Sequence, residues 1–139
     1  MWQRLLACIV LVLTLTAGPA LADGVPEDAF KSVITHQLEA FSKDDGASAY
    51  ADAAPNVKAY FPTVESFMSM VQNGYQPVYR NKSYSFLGGG IDASGRIYEK
   101  VELQGADNLT YQAYYFMQQQ DDGTWKISGC VVLKGGETA

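Results

Sequence analysis

Apolar positions recur at helical spacing in the first half of the chain and at alternating spacing in the second. Phe30, Val33, Ile34, Leu38 and Phe41 form one stripe between Pro26 and Lys43, which predicts a first helix with a buried face. Asp44-Asp45-Gly46 stops that helix and offers a cap to the next. Ala47, Tyr50, Ala51 and Ala54 predict a short second helix whose small residues permit close packing. Pro55 to Phe61 reads as a further turn with Pro55 at its first position. Val64, Phe67, Met68 and Val71 make another stripe, with Thr63 as N-cap and Glu65 favoured in the first turn by the helix dipole. Gly74 stands where a helix takes a left-handed C-terminal residue. Pro77 is expected to keep helix from resuming and to hold Gln76 extended.

Beyond Pro77 the period changes to two. Four strands are predicted, Val78–Leu87, Arg96–Gln104, Leu109–Gln120 and Thr124–Leu133, joined by turn-rich segments at 88–95, 105–108 and 121–123. In the second strand Ile97, Val101 and Leu103 share one face, and Tyr98, Lys100, Glu102 and Gln104 the other. In the last, Trp125, Ile127, Val131 and Leu133 fall in one row, with Gly129 allowing a bend or bulge. The third strand carries Tyr111 and Tyr115 on one face and Tyr114 and Phe116 on the other. That suits a strand covered on both sides, or a sheet whose outer face packs on a second copy. The fold class is α+β: three N-terminal helices packed on a curved four-stranded antiparallel sheet, a cone with a pocket between the layers.

Two polar residues interrupt the apolar rows. Gln37 falls in the middle of the first helix's buried face, where an amide needs partners. It either ties the helix to the sheet, the favoured role, or lines a cavity. Glu99 shares a row with Ile97 and Val101 and should point to the apolar side, where a carboxylate titrates high unless it is paired. A hydrogen bond to a tyrosine or a place near the sheet's open end would explain it; binding or proton transfer is the sharper alternative. Gln37, Glu99, Tyr111 and Tyr115 are therefore the candidate ligand-binding residues. His36 projects away from the buried face, and adjacent Asp44 and Asp45 are explained by capping. No catalytic residue, metal ligand or cofactor is assigned.

The first 22 residues change the compartment. Arg4, the apolar run Leu5 to Ala17 and Ala20-Leu21-Ala22 read as a secretory signal peptide, too short for a membrane span of about 20 residues. The expected mature chain is one domain, residues 23–139, periplasmic or secreted. Cleavage removes Cys8 and leaves Cys130 alone, so no internal disulfide forms. Cys130 is expected to be a small buried apolar residue and not a reactive thiol. With a net charge of −5 for the whole sequence, nucleic acid and anionic membranes are poor partners.

The predicted arrangement resembles the nuclear transport factor 2-like superfamily. The motifs Phe67-x-x-Met70-Val71-x-x-Gly74-Tyr75-x-Pro77-Val78 and Gly123-x-Trp125-x-Ile127-x-Gly129, with Gln37-Leu38-x-Ala40-Phe41 and Asp45, resemble an exported bacterial family known as domain of unknown function 4864. That resemblance covers nearly all of the expected mature chain and implies an α+β domain with no assigned activity. The wider superfamily includes isomerases and dehydratases, so an enzyme using Glu99 with Tyr111 or Tyr115 and Gln37 is the alternative. The favoured reading is a non-enzymatic domain binding a small apolar or aromatic molecule, or a protein, in the cone. A structural role, with a homodimer through the sheet, is the third.

Overall fold

The computed structural model describes residues 24–135. The expected signal peptide and the cleavage site at Ala22 lie outside them. Five helices precede four strands: α1 Glu27–Ser42, α2 Gly46–Ala51, α3 Pro55–Tyr60, α4 Val64–Gly74, α5 Gln76–Tyr79, β1 Asn81–Ile91, β2 Ile97–Gly105, β3 Thr110–Gln119 and β4 Trp125–Lys134. The strands form an antiparallel meander in the order β1-β2-β3-β4, so the α+β class stands.

The helix count is five where three were expected. The turn beginning at Pro55 closes into α3, since a proline in the first turn forfeits only an N–H that lacks an intrahelical partner anyway. The same chemistry overturns the expectation at Pro77. Tyr79 N–H donates to Tyr75 O and Arg80 N–H to Gln76 O, so Gln76 and Pro77 begin α5 where an extended segment was expected. Gly74 has no positive φ and ends α4 in ordinary helical geometry. Thr63 caps α4 as expected, in a reciprocal box with Ser66. Asp45 caps α2 by accepting from Ser48 N–H.

The apolar stripe of α1 lies on the inner face of the sheet. Phe30, Ile34, Leu38 and Phe41 are buried with Val101, Leu103, Ala113 and Met117. Trp125 is half-buried and meets Phe30 edge-on at 4.8 Å. Several ties join the helices to the sheet. Arg80, just before β1, makes two hydrogen bonds to the Asp44 carboxylate, at 2.7 and 2.8 Å, and a third to Phe41 O. Glu27 accepts from Gly89 N–H at 2.7 Å. Ala54 N–H donates to Ile127 O, and Ile127 N–H to Asp52 O, both at 2.8 Å.

Two strands differ from the expectation. Gly88-Gly89-Gly90, expected in a connection, lies inside β1, where Gly89 pairs with Glu99. A side chain at Gly89 would come within 2.4 Å of Val25, so here glycine answers a close approach and not a turn. In β4 the register slips: Phe116 opposes Gly129 while Met117 opposes Ile127, leaving Ser128 as the extra residue. Trp125, Ile127, Val131 and Leu133 therefore do not share a face. Past the bulge Cys130 and Val132 turn to the core, and Val131 turns out, 45% exposed.

The outer face of the sheet carries the remaining aromatics. Tyr98 packs on Tyr114 and Phe116 at 5.3 and 6.4 Å between ring centres, and Arg96 lies 4.1 Å over the Phe116 ring.

Candidate functional site

A cleft of about 350 Å³ opens between α3, α4 and the bulged part of β4. Its apolar walls include Phe41, Val57, Phe61, Phe67, Val71 and Ile127. The local reason for the opening is β4. Ser128 displaces the strand at the bulge, and Ala53 and Ala54 bridge to Ile127, carrying α3 out over the gap. Tyr60, 84% exposed at the end of α3, stands at the mouth. Every lining residue is uncharged.

The polar groups on the walls are mostly committed to the protein. Gln37, 4% exposed, donates from Nε2 to Ala49 O at 3.1 Å. The tie runs to α2 and not to the sheet, where it was expected, and the same residue also lines the cleft. Tyr75 donates its hydroxyl to Cys130 O at 3.1 Å, Asn56 Nδ2 to Ser128 O at 2.9 Å, and Ser128 Oγ to Phe116 O at 3.1 Å. Tyr115 is the exception. It is 1% exposed, and its hydroxyl has no hydrogen-bond partner. Burial, with the neighbouring Cys130 adding to it, holds the phenol well above its ordinary range. Burial likewise pushes the Cys130 thiol up to about 12. Both therefore stay protonated at neutral pH.

A model of the family described as Domain of unknown function (DUF4864) matches residues 25–139. The chain belongs to this family. No curated protein and no solved structure matches the chain. The DUF4864 match spans all nine elements described above, so helices, sheet and cleft fall within one family unit.

Of the four residues singled out in the sequence of this DUF4864 member, the fold brings two to the cleft. Gln37 and Tyr115 line it. Glu99 is the cross-strand neighbour of Tyr115 on the inner face but is not among the lining residues. It is 0% exposed, and neither carboxylate oxygen has a hydrogen-bond partner. Burial raises its pKa, Glu27 adds to the rise, and Lys31 opposes it. Glu99 Oε2 lies against Gly89 of β1, whereas Tyr115 pairs with Cys130 of β4 on its other side. Tyr111 sits at the far end of β3, where its hydroxyl donates to Asp107 at 2.5 Å beside the β2–β3 turn.

Cys130, Tyr75, Asn56 and Ser128 were not among the candidate ligand-binding residues. Cys130 and Ser128 reach the cleft only because of the bulge, which alternation cannot reveal beyond the hint of Gly129. His36 is a further surprise: its Nδ1 lies 2.5 Å from Asp52 Oδ2, a pairing across 16 residues that links α1 to the end of α2. Its side chain is 56% exposed and lies outside the cleft lining. Among the described residues no group of three or more histidines, cysteines and carboxylates is placed to hold a metal ion.

Proposed function

We propose that the chain binds a small, largely apolar molecule in the cleft between α3, α4 and β4, without converting it. The carrying observation is the cleft itself: about 350 Å³, walled by aromatic and aliphatic side chains, with few polar groups and no charge. Small-molecule sites run from about 300 to 1,000 Å³ with this kind of lining. Binding is favoured over turnover because the lining offers no carboxylate, histidine or lysine to move a proton. The enzymatic alternative needs Glu99 and a tyrosine hydroxyl to meet one substrate, and Glu99 stands off the cleft. Consistent with the signal-like first 22 residues, we place this binding outside the cytoplasm, in the periplasm or medium.

The test uses a neutral fluorescent probe, N-phenyl-1-naphthylamine. Its emission should rise saturably on addition of the protein. Met70→Trp, which fills the cleft from α4, should weaken that binding at least about tenfold while the thermal midpoint stays put. Absence of saturable binding, or binding indifferent to Met70→Trp, rejects the proposal.

A further inference from the structure

We infer that residues 24–27, ahead of α1, form a strap that closes over Glu99 while its carboxyl is protonated and lifts from β1 when that carboxyl ionises.

The strap meets the sheet at Gly89. A side chain at Gly89 would come within 2.4 Å of Val25 Cγ2 and 3.0 Å of Glu99 Oε2, so Val25 and the carboxyl group close on the same face of this glycine. The Gly89 N–H donates to Glu27 Oε1 at 2.7 Å, and among the described residues this is the strap's one hydrogen bond to the sheet. The other bonds of the strap are local: Glu27 N–H to Val25 O, and Phe30 N–H to Pro26 O. Glu99 is fixed far more firmly. It lies inside β2, paired with Gly89 on one side and Tyr115 on the other, and both its oxygens are enclosed without a partner.

The charges around Glu99 couple it to the strap. From α1 it faces Glu27 and Lys31, and Lys31 Nζ already stands 4.0 Å from Glu27 Oε2. From β1 the neighbour is glycine, without charge. From β3 the cross-strand neighbour is Tyr115, held neutral by burial. An ionised Glu99 therefore meets the negative charge of the residue that latches the strap, at a position shut off from solvent. Undocking four residues hydrates the carboxylate at much smaller cost than opening the sheet. It also takes the acceptor from Gly89 N–H and bares that part of the edge of β1.

The direction follows from burial, which with Glu27 holds Glu99 above its ordinary 4.5, so the closed form keeps a proton that the open form releases. Opening therefore grows with pH above about 4.5, by up to about tenfold per unit, and levels off once Glu99 is ionised in the closed form too.

Amide hydrogen exchange, read by NMR from pH 5 to 8 and corrected for the intrinsic rate, tests this. Protection at Gly89 and Phe30 should fall by up to about tenfold per pH unit. It should stay at least about tenfold below that of Val101 and Ala113 in the middle of the sheet, and urea below the unfolding transition should not change it. Glu99→Gln should abolish the fall. Glu27→Gln, which keeps an acceptor for Gly89 and removes the neighbouring charge, should shorten the fall, so that it levels off at lower pH. Protection at Gly89 that ignores pH, or a fall that survives Glu99→Gln, would overturn the inference. So would protection at Gly89 equal to that at Val101 and as sensitive to urea, which is opening of the whole molecule. Should Glu99→Gln not fold, the urea dependence at Gly89 in the unaltered protein and the shift in Glu27→Gln decide.

Discussion

Glu99 sits with its two oxygens enclosed and unpartnered, beside Gly89 of β1 and within the field of Glu27. The position follows from the pleat: an inward row on β2 must face α1 and the start of the helical layer, whatever residue occupies it. Burial, then Glu27, raises its pKa above the ordinary 4.5, so the folded chain holds a proton that the unfolded chain has released. The sign follows. Below about 4.5 both states are protonated and Glu99 costs no charge burial; as pH rises toward the folded value, stability falls, and above that value the full cost persists. Glu99→Gln keeps the shape and removes the titration. It should flatten this part of the stability–pH profile and raise stability at pH 8 by about 1–3 kcal/mol, measured by urea denaturation across pH 4 to 8. A variant whose profile overlays the original would show that water or a cation satisfies Glu99 in solution.

At the scale of elements, β4 decides most. Its bulge at Ser128 moves Cys130 and Val132 inward, and Asp52 O and Ala54 N–H supply backbone partners to Ile127 beside the break in the ladder. Trp125 lies ahead of the bulge, half-buried on Phe30. Trp125→Ala should cost about 2–3 kcal/mol, below the 3–5 kcal/mol of fully enclosed aromatics, because part of the ring already meets solvent. An unchanged denaturation midpoint would remove Trp125 from the support of this strand. Much of this layer was legible. The stripe of α1, the cap at Thr63, the four-strand meander and the inward aim of Gln37 and Glu99 all follow from period and turn chemistry. Of the extra short helices, the turn at Pro55 was legible and the one at Pro77 was not, because a proline can break one helix or begin another. Nor was the triple glycine in β1, whose cause is the distant Val25. The cleft was half legible: Gln37 and Tyr115 stood out by burial, while Cys130 and Ser128 depended on a one-residue slip that inverts every later side chain.

At the scale of the molecule, the chain is a helical half followed by a meander, each made of neighbours in sequence and joined by a few long ties. The proposed export adds a processing step before it: mass spectrometry of periplasmic or secreted material should give a chain beginning at Asp23, and an intact Met1 terminus in the membrane fraction would count against it. The ties also set an order in time. A chain leaves the ribosome or a membrane channel from its N-terminus, so the helices emerge with Phe30, Ile34 and Phe41 still uncovered. Arg80 and Asp44 both belong to the half that is made first, so their ion pair needs none of the strands. The cleft has to wait. One of its walls, and the carbonyl that holds Ala54, come from Trp125–Lys134, the last strand to be made. A chain interrupted between Gln119 and Trp125 contains the residues of all five helices and three of the strands, but lacks a wall of the cavity. Any ligand that stabilises this protein acts only on the finished molecule and cannot guide its assembly.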